Sequence, residues 1–219
     1  VSGGWHAYPA LWQEIYDTLR DAEPELVLAG GALRDWDNGR PAKDLDFFWR
    51  NADEKVVWKI AQRARDLGYI VPAPDTDEGR LLGRNDEGRS MDEGQVQNTW
   101  IFHHPDPVML PVNLIHMNAG FATPQKIIGR FDFGICQIGA KGIQIWRSEA
   151  YLYDQERRTF TLTDERTGLK RERSIERYQR LLEKYPGWRM IDPWELARRF
   201  AGVEDPSAEE RAEAGEMEF

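Results

Sequence analysis

The sequence predicts an α/β (α+β) fold in which a mixed β-sheet is backed by helices and followed by a small C-terminal helical lobe. Three observations lead there. A short apolar run, Leu26-Val27-Leu28-Ala29, ends in the pair Gly30-Gly31, as a buried strand does where the chain then turns tightly. Helical amphipathic spacing flanks it on both sides, over residues 9–21 and 53–67. Between them, Lys43-Asp44-Leu45-Asp46-Phe47-Phe48 reads as a second strand carrying two carboxylates on one face, because residues two apart in a strand point the same way.

The elements follow in order. Leu11, Trp12, Ile15, Tyr16 and Leu19 form the apolar stripe of a first helix that has Pro9 near its start. The Leu26 run is the first strand, and Gly30-Gly31 leaves backbone N–H groups free to point at an anionic ligand. A turn-rich stretch, Trp36-Asp37-Asn38-Gly39-Arg40-Pro41, leads into the aspartate strand. The second helix buries Val56, Val57, Ile60, Ala61, Ala64 and Leu67, with Gly68 at its C-cap. Residues 72–94 mix prolines and glycines with charges of both signs and read as a long loop, in which Arg80, Arg84 and Arg89 either close over a ligand or pair in solvent.

Strands are expected over residues 96–102 and 108–117, joined by His103-His104-Pro105-Asp106-Pro107. Only two of the chain's four histidines lie in that turn and helical spacing is impossible there, so no transition-metal site is read from it. Thr123 caps a short helix to Gly129, with Pro124 in its first turn. Residues 135–138 read as a strand, and Gly139-Ala140-Lys141-Gly142 before Ile143-Gln144-Ile145-Trp146 as a hairpin. A strand over 159–163 precedes a helix over 174–185 that buries Ile175, Tyr178, Leu181, Leu182 and Tyr185, with Arg177, Arg180 and Lys184 as a basic ridge beside that stripe. A last helix runs from Asp192-Pro193 to about residue 201. The expected division is a core over 1–155, a basic C-terminal lobe over 156–202 and an acidic, disordered tail over 203–219.

Charge narrows the function classes. A net charge of −9 argues against a protein that coats nucleic acid indiscriminately, because such affinity comes from cations on phosphates. The distribution is uneven, however. The tail is strongly acidic, whereas residues 157–189 carry a basic excess that offers an anionic partner a surface. No apolar run reaches about eighteen residues, so neither a transmembrane helix nor a membrane partner is expected. Cys136 is the only cysteine, which fits a reducing, cytoplasmic setting.

Two like charges on one strand face repel, and aspartate is disfavoured in strands, so something must offset that cost. A pair of Mg²⁺ ions would do so, since such ions are completed by waters and substrate phosphates and, roughly 4 Å apart, stabilise both oxygens of an in-line phosphoryl displacement.

Gly30-Gly31-Ala32-Leu33-Arg34-Asp35 followed by Gly39-Arg40-Pro41-Ala42-Lys43-Asp44-Leu45-Asp46-Phe47 resembles the signature of DNA polymerase β superfamily nucleotidyltransferases, in particular the head domain of bacterial-type CCA-adding enzymes and poly(A) polymerases. The resemblance implies a nucleotidyltransferase core with Asp44 and Asp46 as catalytic, metal-holding residues. It implies contact of a nucleoside triphosphate with Gly30, Gly31, Arg34, Asp35 and Lys43. Arg130-Phe131-Asp132 resembles the family's second signature, so Arg130 and Asp132 are carried over as nucleotide contacts, although Phe131 stands where the family has an arginine and Cys136 where it has an asparagine. Asn113 falls where relatives often have a third carboxylate, and an amide contributes one neutral oxygen but no charge. Arg177, Arg180 and Lys184 are candidate RNA or phosphate contacts. The implied reaction is Mg²⁺-dependent transfer of a nucleoside monophosphate from an NTP to an acceptor hydroxyl, with a tRNA 3′ end first among acceptors. Modification of a protein or small molecule, and nucleotide binding without turnover, stay open beside it.

Overall fold

The computed structural model describes residues 8–50, 54–71, 96–117, 123–163 and 169–191. The expected 72–94 loop with its three arginines, the helix after Asp192 and the acidic tail lie outside the described residues.

The chain forms a six-stranded mixed sheet in the order β3-β4-β2-β1-β5-β6 and a two-stranded sheet β7-β8. Its strands are β1 (Val27–Ala29), β2 (Leu45–Trp49), β3 (Val96–Phe102), β4 (Val112–Met117), β5 (Ile138–Lys141), β6 (Gln144–Arg147), β7 (Thr159–Thr161) and β8 (Arg189–Ile191). The helices are α1 (Ala10–Arg20), α2 (Gly31–Asp37), α3 (Glu54–Asp66), α4 (Pro124–Ile128), α5 (Glu149–Arg157) and α6 (Leu169–Lys184). Among the described residues, only β2 and β4 run parallel within the large sheet, with Asp46 opposite Asn113. That places the strand most rich in candidate chemistry at the centre.

Burial explains the layers. Leu45, Phe47 and Trp49 of β2 and Leu114 of β4 turn to one face and pack with Ile15, Tyr16 and Leu19 of α1 and Ile60 and Ala64 of α3. Tyr16 stacks on Phe47 with ring centroids 5.7 Å apart, and its hydroxyl donates to the Leu26 carbonyl at 2.9 Å. Phe48 joins Val27, Ala29, Met117, Ile127 and Ile128 in a second cluster on the other side of the sheet. Asp46, two residues before Phe48, takes that second face.

Helices α1 and α3, strands β1 and β2, the short capped helix α4 and the β5–β6 hairpin match the expected ones closely, and the Thr123 hydroxyl accepts from Lys126 N–H. Helix α2 stands where only a tight turn and a turn-rich stretch are expected, and further differences lie along the chain. Val108 to Pro111 belong to the connection before β4, and residues 134–136 are a single 3₁₀ turn rather than a strand. Helix α5, not expected, wraps that turn: the fully buried Asp154 accepts from Ile135 N–H at 2.7 Å, from Thr159 Oγ1 at 2.9 Å and from Thr161 Oγ1 at 2.6 Å. Residue 155, the expected end of the core, lies within this helix. Helix α6 begins earlier than expected and links β7 to its parallel partner β8. Leu181 and Tyr185 are buried as expected, whereas Ile175 is 49% exposed, because the helix packs through a face rotated toward Phe160 and Trp188.

Candidate active site

The fully buried β1 ends at Gly30, whose φ of 82° is left-handed. A side chain there would be strained by that backbone, which is what calls for glycine, and its Cβ would stand in tight contact 3.3 Å from the Phe131 ring. The turn starts α2 and throws Arg34 and Asp35 toward α6. On the adjacent strand, Asp44 sits immediately before β2 and Asp46 within it.

These elements enclose a cavity of about 510 Å³ lined by Gly30, Gly31, Arg34, Asp35, Lys43, Asp44 and Asp46, by Phe131 and Cys136, and by Arg177, Arg180, Leu181 and Lys184 of α6. The two halves of the sequence signature therefore meet in one space. The basic residues of α6, read from sequence as a ridge beside an apolar stripe, line the same cavity.

Asp46 sits under strong electrostatic pressure. Burial first, and then the neighbouring charge of Asp44, push its carboxyl up to about 7, while a hydrogen bond from Asn113 Nδ2 to Asp46 Oδ1 at 2.8 Å works in the opposite direction. Burial also raises Asp44, with the adjacent Lys43 partly opposing it. Two carboxylates raised by burial, with the charge of Asp44 also acting on Asp46, line the cavity and form a hard-oxygen donor set that suits a divalent cation whose other ligands are water and phosphate. Among the described residues no group of three or more His, Cys, Asp or Glu side chains could hold a metal, and Asp35, the third acid on the cavity wall, is committed to cations. Asn113, at the expected third-carboxylate position, lies one strand away and turns its amide nitrogen to Asp46.

The remaining acids are held by cations. Asp35 is 1% exposed and accepts from Tyr185 OH at 2.6 Å and from Arg34 Nε at 2.8 Å, and it pairs with Lys184 Nζ. Asp132 is equally buried, pairs with Arg177 and accepts from Ser174 Oγ at 2.7 Å. Each aspartate thus moors α6 to the core and sets the position of a cavity cation. Asp132 and Arg130 are absent from the cavity wall; Arg130 donates to Met117 Sδ at 3.0 Å.

Arg34 is the pivot, since its Nη1 also reaches Cys136 Sγ at 3.2 Å and its guanidinium lies 5.7 Å from the Tyr185 ring centroid. Burial pushes the Cys136 thiol up, away from the reactive thiolate. Lys43 and Arg180 have no ion-pair partner among the described residues, leaving them as the cations most available to a ligand. Phe131, Cys136 and Leu181 were not assigned to the site from sequence. The signal for the first two was their place inside the Arg130-Phe131-Asp132 run and its apolar continuation.

No protein-family model matches the chain, and no curated protein matches its sequence. Solved structures do match by shape. A tRNA-processing enzyme in an apo form superposes with a TM-score of 0.58 at 15% identity over 84% of this chain and 45% of its own. A CCA-adding enzyme in an apo form gives 0.59 at 14% identity over 90% and 44%. The CCA-adding enzyme of Thermotoga maritima complexed with tRNA gives 0.52 at 13% identity over 86% and 42%. The chain spans less than half the length of these proteins, and the likeness is one of fold: its mixed sheet and helices are arranged as in CCA-adding and tRNA-processing enzymes.

Proposed function

We propose that this chain is a nucleotidyltransferase that moves a nucleoside monophosphate from an NTP to an acceptor hydroxyl, with an RNA 3′ end, tRNA first, as acceptor. The observation that carries this reading is the convergence of Asp44 and Asp46 with Gly30-Gly31 and with Lys43 and Arg180, which have no ion-pair partner among the described residues, in one cavity. The fold likeness to enzymes solved with ATP, with CTP and with tRNA supports it.

Asp44 and Asp46 are the residues that would hold Mg²⁺, which in that place lowers the pKa of the acceptor hydroxyl and offsets charge developing at the α-phosphate and the leaving pyrophosphate. The chain's own groups do the rest. Lys43 and Arg180 bind phosphate oxygens, and Arg34, fixed by Asp35, adds an oriented guanidinium. Gly30 lets the backbone come close to the ligand, and Phe131 and Leu181 exclude water from one side. Asn113 holds the Asp46 carboxylate toward the cavity.

The test is label transfer. The protein is incubated with Mg²⁺, each of four α-labelled ribonucleotides and either total tRNA or a cell lysate, and the products are separated into RNA and protein. Label in RNA is expected; label in protein would move the assignment to protein modification. The Asn113 amide in place of an acid is the one observation that favours binding without turnover, and triphosphate binding with no labelled product in either fraction would support that reading instead.

A further inference from the structure

We infer that Tyr185 is a positioning residue for triphosphate binding: its hydroxyl and ring hold the Arg34 guanidinium so that Nη2 faces the Gly30-Gly31 end of the cavity. This rests on the nucleotidyltransferase reading above and adds to it a residue that lies outside both sequence signatures and off the cavity wall.

Arg34 and Asp35 are consecutive on α2, and consecutive helical side chains diverge around the axis rather than face each other. Their contact of 2.8 Å is therefore not one that the helix imposes. Tyr185 draws the two together. Its hydroxyl donates to Asp35 Oδ1 at 2.6 Å and accepts from Arg34 Nε at 3.3 Å, so the Nε–H is shared between carboxylate and hydroxyl in a closed triangle. The Tyr185 ring adds a face for the guanidinium, 5.7 Å from its centroid. Burial pushes the Tyr185 hydroxyl up, with Arg34 opposing it, so the group keeps its proton and stays a donor to Asp35.

The hydroxyl is fixed by what packs around it. Tyr185 follows directly on α6 and is 1% exposed. Its ring meets Phe160 edge-on at 6.1 Å and Trp188 at 5.0 Å, and its N–H donates to the Leu181 carbonyl at 2.8 Å. The helix before it is tied to the core by Arg177 on Asp132 and Lys184 on Asp35.

The consequence falls on the far side of the guanidinium. Nε is spent on Asp35 and Tyr185, and Nη1 donates to Cys136 Sγ at 3.2 Å. Nη2 makes no hydrogen bond among the described residues, and a Cβ built on Gly31 would lie 3.8 Å from it. The uncommitted nitrogen of Arg34 thus stands beside the turn on which that reading places the triphosphate. An arginine already bonded along its other edge loses less side-chain freedom when it binds a phosphate oxygen than one free to rotate.

Calorimetric titration of the full chain with inorganic tripolyphosphate in Mg²⁺ tests this as a double-mutant cycle of Tyr185→Phe and Arg34→Lys, with the folding of each variant checked by thermal unfolding. Phenylalanine keeps the ring and changes no charge, so a ring that serves packing alone predicts no change in affinity. Y185F is expected to weaken tripolyphosphate binding about fivefold in the parent, the central worth of one net hydrogen bond. In the R34K background the same change is expected to cost less than about twofold, because its effect passes through the lost guanidinium. Equal binding by parent and Y185F, or a Y185F loss of the same size in R34K, would overturn the inference and leave the site reading standing. A parent that does not bind tripolyphosphate would overturn both. If Y185F does not fold, nuclear magnetic resonance of the parent decides: the Arg34 Nε–H signal, assigned by its absence from R34K, is expected to exchange slowly with water before any ligand is added. A signal broadened by exchange until tripolyphosphate arrives would overturn the inference.

Discussion

Asn113 lies opposite Asp46 across the one parallel strand pair of the large sheet and donates its amide N–H to that carboxylate at 2.8 Å. The amide stabilises the ionised form of Asp46 without adding charge, so under the proposed function Asp44 and Asp46 alone would supply negative charge to a cation there. Asn113→Asp supplies a third acid and removes the donor. The metal-free variant is expected to unfold at a lower temperature than the parent at pH 7.5, from added repulsion, and to gain more stability from Mg²⁺. Thermal unfolding across a Mg²⁺ titration measures both effects, and an unchanged Mg²⁺ response would show that residue 113 does not reach the ion.

A pH dependence follows from Asp46. Its carboxyl is pushed up to about 7 in the folded chain, by burial and then by Asp44, against an ordinary value of 3.8. The folded state therefore binds a proton more tightly than the unfolded chain. That contribution to stability is complete below about pH 4 and is lost as pH rises through 7. Metal-free protein is expected to lose stability between about pH 4 and 7 through this group, and Mg²⁺ is expected to restore it at the upper end while doing little at the lower. Asp46→Asn should flatten both responses in chemical unfolding. A parent and variant with the same pH slope would contradict the shift.

Asp35 gives a prediction of a different kind. Its buried carboxylate joins α2 to α6 through Arg34, Lys184 and Tyr185. Asp35→Asn leaves two cations without their counter-charge and is expected to cost about 3 kcal/mol, the lower end for a broken buried pair, because Lys184 is partly exposed. Tripolyphosphate can take the place of the missing charge. Urea unfolding with and without it should show a larger ligand stabilisation in the variant than in the parent.

The mooring of the 3₁₀ turn is expected to be structural only. Asp154 is fully buried and accepts from four donor groups on Ile135, Thr159 and Thr161. Asp154→Ala strands those donors and is expected to lower stability by about 3 kcal/mol or more. Tripolyphosphate affinity, measured by calorimetry well below the unfolding midpoint, should stay within twofold of the parent.

Much of this architecture was legible from residue order. The apolar run ending in Gly30-Gly31 and the Asp44-Leu45-Asp46 spacing are local patterns, and the stripes of α1 and α3 repeat at helical spacing against a single core face. What escaped depends on contacts across the chain. Helix α5 buries Tyr151 and Asp154, and an aspartate satisfied from four directions looks like a surface residue in sequence. The turn at Gly134 brings the backbone within reach of that same carboxylate: an added Cβ would lie 2.7 Å from Asp154 Oδ2. Arg177, Arg180 and Lys184 were legible as one basic stripe, but only the pairing of Arg177 with Asp132 and of Lys184 with Asp35 turns it into the cavity. The Arg130-Phe131-Asp132 run records neighbours in sequence, and it does not foretell that the Asp132 carboxylate pairs with Arg177 and Ser174 across the chain.

The most direct measurement is transfer of label from α-labelled CTP to tRNA in Mg²⁺ by the parent, Asp44→Asn and Asp46→Asn, with folding of each checked by thermal unfolding. Loss of either carboxylate is expected to reduce the rate by at least about a hundredfold, in the range seen when one group that stabilises transition-state charge is removed, while both variants remain folded. Labelling that persists in both folded variants would contradict the assignment of Asp44 and Asp46 as the reaction centre.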